Sequence, residues 1–159
     1  MPETGSDIFI ATIKNDLSEI ERLSLIIEDF VESRNLSIKT AFEFNVALDE
    51  ILTNVISYAY EDADQHLINI RGKLADGFLT IEVEDDGREF DPLKSDNPDL
   101  DSGLHERPIG GLGIHLVKKL TDQLEYRRQD GKNLLVMRKI ANRQPVKTGS
   151  GKDNPVSDT

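Results

Sequence analysis

Cysteine is absent from the 159 residues, so neither a disulfide nor a thiolate metal site holds the fold together. That fits a reducing compartment, and a cytoplasmic protein is expected. Long apolar runs are missing too. Nothing approaches the roughly 18 consecutive apolar residues of a membrane span, and the polar opening "MPETGSD" does not read as a signal peptide. Basic residues are in short supply, with 19 Lys and Arg against 30 Asp and Glu, a formal charge of −11. Such a charge repels nucleic acid and anionic lipid, so neither DNA binding nor a membrane partner is expected. It would repel a nucleotide as well, unless a divalent cation and backbone donors held the phosphates.

The chain is long enough to bury roughly 70% of its unfolded surface as one domain. "DIFIATI" (7–13) alternates like an edge strand. Residues 15–33 place Leu17, Ile20, Leu23, Ile27, Phe30 and Val31 on one helical stripe, with Asn15 or Asp16 as the expected N-cap. A second helix spans about 40–60. Strands follow at 67–74 and 78–85, joined at "ADG" as a hairpin, and a second hairpin joins "QLEYRRQ" to "NLLVMRKI" through "DGK". Between the hairpins, residues 86–109 hold three prolines, two glycines and no sustained period, which predicts a long loop of functional character or disorder. "GGLGIHLVKKLTD" (110–122) reads as a glycine turn opening a third helix. Residues 141–159 have little to bury and are expected to be a disordered tail, leaving the domain at 8–140.

Three short segments carry chemistry. In "AFEFNVALDEILTNVISYAY", Leu48, Ile51, Leu52 and Val55 form the apolar stripe while Glu50 and Asn54 share a different face, about 6 Å apart at Cβ. A solvated helix face is the plain reading. The sharper one is that a ligand covers it, since an Asn oxygen suits Mg²⁺ and a carboxylate one turn away accepts a proton from an attacking hydroxyl. "VEDDGREFDP" (83–92) ends a strand on Asp85 with Gly87 two residues on, either an acidic turn or a carboxylate presented at the strand edge beside room for a flat ring. "IGGLGIHLV" opens a helix with glycines, which is a tight turn or a phosphate cradle, since unpaired N–H groups and a partial positive charge lie at a helix start. It is not a Walker loop, for no Lys followed by Ser or Thr comes after it.

The order of these three segments resembles the ATPase fold shared by gyrase B, Hsp90, histidine kinases and MutL, and most nearly the small bacterial anti-sigma factor serine/threonine kinases. "ALDEILTNVISYAY" is similar to that family's N-box, "VEDDGREFDP" to its adenine box and "ERPIGGLGIHLVKKLTD" to its second glycine box. The resemblance implies an α/β two-layer sandwich, three helices on one face of a mixed, mostly antiparallel sheet. It implies ATP and Mg²⁺ as cofactors, Glu50 as general base and Asn54 as metal ligand. Asp85 would bond the adenine amino group, and Gly87 would give the ring room. Gly111, Leu112, Gly113 and Ile114 would offer backbone to the phosphates, with Arg107 or Lys94 of a lid at 88–109 as further phosphate contacts. The partners implied are a small antagonist protein of the anti-anti-sigma type, phosphorylated on serine or threonine, and a sigma factor that the kinase sequesters; a homodimer is common in the family. Two departures stand out: Ser57 replaces a lysine many histidine kinases carry after the N-box Asn, and "GKNLLVM" is the nearest thing to a third nucleotide box, with no residue assigned there.

Other readings remain beside this one. A histidine kinase core would place a phosphoacceptor hairpin ahead of the ATPase domain, where only seven residues stand before the first strand; a gyrase-type ATPase would belong to a longer chain. A nucleotide-responsive binding module with little phosphate transfer is the principal alternative. Phe42, Phe44, Phe78 and Phe90 are expected to be packing residues, and His66, His105 and His115 are too scattered for a metal set.

Overall fold

The computed structural model describes residues 7–94 and 113–141. Arg107, Gly111 and Leu112, most of the expected lid and all but the first residue of the expected tail lie outside the described residues, as does the side chain of Lys94. Strand β1 (Ile8–Lys14) leads into helices α1 (Glu19–Ser33) and α2 (Ile38–Tyr58). Strands β2 (Leu67–Ala75) and β3 (Phe78–Asp85), helix α3 (Gly113–Leu120) and strands β4 (Gln123–Gln129) and β5 (Lys132–Ile140) follow.

Both predicted hairpins form, and for the expected reason. Asp76 and Gly77 have φ of 55° and 81°, Asp130 and Gly131 of 55° and 77°, the paired positive values that match the right-handed strand twist. The five strands run β1-β2-β3-β5-β4, and every described pairing is antiparallel. The expected sandwich is therefore present, with no parallel pair among the described strands to make the sheet mixed.

Alternation along the strands decides which face is covered. Ile68, Ile70 and Leu74 of β2, Leu79, Ile81 and Val83 of β3 and Leu135 and Met137 of β5 point one way into a single apolar core with Leu23, Ile27, Phe44, Leu48 and Leu52 of the helices. Each fully buried Leu or Ile stabilises the fold by about 1.5–3 kcal/mol. On β2, Gly72 makes room for the Phe9 ring opposite it; a Cβ there would stand 2.0 Å from the ring.

Helix α2 starts where Ser37 caps it, its hydroxyl accepting the Thr40 N–H at 3.3 Å. A largely buried ion pair, Lys139 Nζ to Glu43 Oε1 at 2.8 Å, fixes α2 over β5. Helix α1 begins four residues later than predicted: the Asp16 carboxylate bonds the Ser18 N–H and hydroxyl in a local turn, and Asn15 bonds the His66 backbone instead of capping a helix. Phe44 is core, but Phe42 is exposed, contrary to expectation, because it lies off the α2 stripe that meets the sheet.

Candidate functional site

The core ladder of β3 ends in a charge. Leu79, Ile81 and Val83 are followed on the same face by Asp85, which is 4% exposed. Directly opposite on β5 stands Asn133, also buried, in line with Leu135 and Met137. The Asn133 Nδ2 donates to Asp85 Oδ1 at 2.9 Å, and the Gly87 N–H donates to the same oxygen at 2.9 Å. Among the described residues Oδ2 receives no hydrogen bond, so it is left for another donor. Burial raises the Asp85 carboxyl above the usual carboxylate range, and these two donors pull it part of the way back.

Asn133 organises more than Asp85. Its Nδ2 also reaches the Arg88 carbonyl at 2.8 Å, and its Oδ1 accepts from Arg128 Nη1 at 3.1 Å, the Phe90 N–H at 3.3 Å and the Tyr126 hydroxyl. Arg128 ties the Gly87 carbonyl in at 2.8 Å. One amide thus clamps β3, β4 and the first residues of the loop after β3. The neighbouring Asp86 turns outward, toward His66: His66 Nδ1 lies 3.5 Å from Asp86 and its Nε2 2.8 Å from Asp62, and the ring stacks on Tyr60 at 4.2 Å. The hydrogen bond to Asp62, chiefly, raises the His66 pKa.

Helix α2 brings Glu50 and Asn54 to this end of the sheet. Asn54 is 8% exposed, has no side-chain hydrogen bond among the described residues, and lines one hollow with Asp85, Asn133, Tyr126, Phe90 and Pro92. Glu50 lies against the first residue of α3: a Cβ on Gly113 would fall 1.8 Å from Glu50 Oε1. A side chain there would oblige the Glu50 carboxylate to swing aside. Asn54 and Asp85 thus share one hollow, and Glu50, one turn before Asn54 on α2, lies against Gly113 without lining that hollow. Ile114 buries its side chain in the core, so its backbone alone remains at the helix start.

Gly87 has a different neighbour from the one expected. Its missing Cβ would meet the Ala59 Cβ and carbonyl oxygen, each at 2.5 Å, and the Arg88 N–H donates to that carbonyl at 2.8 Å. The glycine docks the loop on the end of α2. The hollow itself measures about 20 Å³, room for a single water and not for a purine as it stands.

Asn133, Tyr126 and Arg128 were missed from the sequence. "GKNLLVM" drew attention as a weak nucleotide box, but an Asn beside a turn glycine reads as turn chemistry; only the β3–β5 register reveals what it faces.

The polar set suits a magnesium nucleotide: a neutral amide oxygen on Asn54 for the cation, a carboxylate oxygen on Asp85 for a base amino group, and the N–H groups at the start of α3 for phosphate. Residues 13–139 match the histidine kinase-like ATPase domain family. The chain is 27% identical over 101 residues to serine/threonine-protein kinase BtrW of Bordetella bronchiseptica, covering 64% of this chain and 71% of the relative. It is 30% identical over 119 residues to serine-protein kinase RsbW of Bacillus cereus (72% and 71%) and 28% over 111 residues to the anti-sigma F factor of Caldanaerobacter subterraneus (70% and 77%). A solved structure of the RsbU and RsbW domains of a Mycobacterium tuberculosis protein shares the fold, with a TM-score of 0.63 at 13% identity over 86% of this chain, although the chain spans only 33% of that one. The chain belongs to the histidine kinase-like ATPase domain family and, within it, is related to the RsbW serine-protein kinases.

Proposed function

We propose that the chain binds ATP with Mg²⁺, phosphorylates a serine or threonine on a small antagonist protein, and holds a sigma factor when the antagonist is not competing. The observation that carries this reading is the meeting of Asn54 and Asp85 in one hollow, with Glu50 one turn from Asn54 and against Gly113. Asp85 orients the base through its free oxygen, and the Asn133 clamp keeps that carboxylate aimed. The start of α3 faces the phosphates. Mg²⁺, when bound through the Asn54 oxygen, neutralises phosphate charge. Glu50 takes the proton of the attacking hydroxyl as its oxygen bonds the γ-phosphorus and the bond to the ADP oxygen breaks. Arg107, Gly111 and Leu112 are assigned to the phosphate side by resemblance alone. Names of the relatives, two kinases and an anti-sigma factor, support the partner assignment.

Millimolar ATP with Mg²⁺ should stabilise the fold by about 4 kcal/mol for a micromolar site, read as a melting shift. Glu50→Gln should keep that shift and lose phosphate transfer to an antagonist of the anti-anti-sigma type. Transfer by neither wild type nor variant, with the shift intact, would favour a nucleotide-responsive binding module. No shift in either protein would remove the nucleotide site altogether.

A further inference from the structure

Helices α1 and α2 leave between them a groove of about 1050 Å³ that the nucleotide reading does not use. Its walls carry large apolar side chains that no other described residue covers: Ile38 is 77% exposed, Phe42 64% and Leu17 53%. An apolar patch of this kind rimmed by polar groups marks an interaction surface. The rim has one sign. Among the described residues Glu21, Glu28, Glu32 and Asp49 line the groove, and no Lys or Arg does. On α2 the lining runs from Ile38 to Thr53, about 22 Å at the helical rise.

We infer that this groove docks a basic amphipathic helix of a partner protein, about four turns long, its apolar stripe on Phe42 and Ile38 and its cationic flanks on the four carboxylates. Charge complementarity selects the occupant. An anionic membrane or a nucleic acid would be repelled by the rim, and a second copy of this groove would set four carboxylates against four. Helix-in-groove recognition needs an apolar trough of this length with flanking charge, and both are present. None of Glu50, Asn54 or Asp85 lines the groove, so the inference stands apart from the kinase reading.

The test uses the full chain and a fluorescent 16-residue helical peptide with a leucine stripe flanked by lysines, titrated by anisotropy with and without ATP and Mg²⁺. The peptide should bind, and an isomer with glutamate in place of lysine should not. Phe42→Asp should weaken binding at least tenfold, as should Glu28→Lys with Glu32→Lys. Ile140→Asp, and Glu82→Lys with Glu125→Lys on the opposite sheet face, should change it less than threefold and so control for apolar exposure and net charge. Glu50→Gln should leave it unchanged. Equal binding of the glutamate isomer, equal losses in the sheet-face controls, or no effect of Phe42→Asp would overturn the inference. Sedimentation showing a dimer that Phe42→Asp dissociates would overturn it too, by assigning the groove to a second copy.

Discussion

Where β3 ends beside β5 two polar side chains, Asp85 and Asn133, are buried among apolar neighbours, and five donors converge on the one oxygen of Asn133 and its partner carboxylate. On the α1–α2 side the reverse holds, and Ile38 and Phe42 stand in water with acidic groups around them. The first region is costly to bury unless every bond is made; the second is costly to expose unless something covers it. Each departure from the ordinary pattern thus points to a ligand, one small and polar, one large and apolar. The difference also predicts how mutations act, because the nest carries stability as well as binding whereas the groove carries binding alone.

The largest effect is expected for Asn133→Ala, which removes one of the two donors to the buried Asp85 carboxylate, takes the acceptor from the Tyr126 hydroxyl and frees the loop after β3; it should cost about 3 kcal/mol in urea unfolding. A cost below about 1 kcal/mol would show that the nest is not a structural clamp. Gly87→Ala comes next. Its Cβ must displace the loop from Ala59, for about 2 kcal/mol, and Ala59→Gly in the same chain should recover only part, since the carbonyl stays in place.

Asp85→Asn separates binding from stability. The folded carboxyl is raised by burial, so its contribution is fully present only below the unfolded value of 3.8 and is lost as pH rises through the folded one; at neutral pH the charge is a burden. The amide keeps an acceptor for Asn133 and Gly87. Calorimetry at neutral pH should find the variant melting no lower than wild type, with the ATP-dependent shift gone. Retention of that shift would take Asp85 out of base recognition.

His66 sharpens the picture from the rim of the nest. Its pKa is raised by Asp62, then by the charges of Asp62, Asp86 and Asp64, so its contribution is complete below about pH 6.5 and declines as pH climbs through the folded value. Melting temperatures should fall over that window in wild type and stay flatter in His66→Gln. The smallest effect belongs to Phe42→Asp, expected to alter stability by no more than about 0.5 kcal/mol because the ring is already in water.

Much of this was legible beforehand. The two Asp-Gly hairpins, the α2 stripe and the odd face bearing Glu50 and Asn54 all follow from local rules of turn and period, and they appear where expected. Asp85 was legible by type, at a strand end with Gly87 two residues on, whereas its place on the face of Leu79, Ile81 and Val83 is seen in the fold. The start of α1 was not, because Asn15 and Asp16, good caps by type, are drawn into a turn and into a bond with the distant His66 backbone. Phe42 misled for a related reason: helical period tells which residues share a face but not which face finds the sheet.

The sequence by itself determined the elements, the hairpin turns and the residue types of the site, since periodicity, capping and turn conformation are settled within a few residues of chain. Tertiary structure alone decided that β5 lies beside β3 so that Asn133 meets Asp85, that Gly113 abuts Glu50, and that a groove opens between α1 and α2. Those contacts join residues up to 63 positions apart, and only the packing of the helices on one face of the sheet brings them within reach.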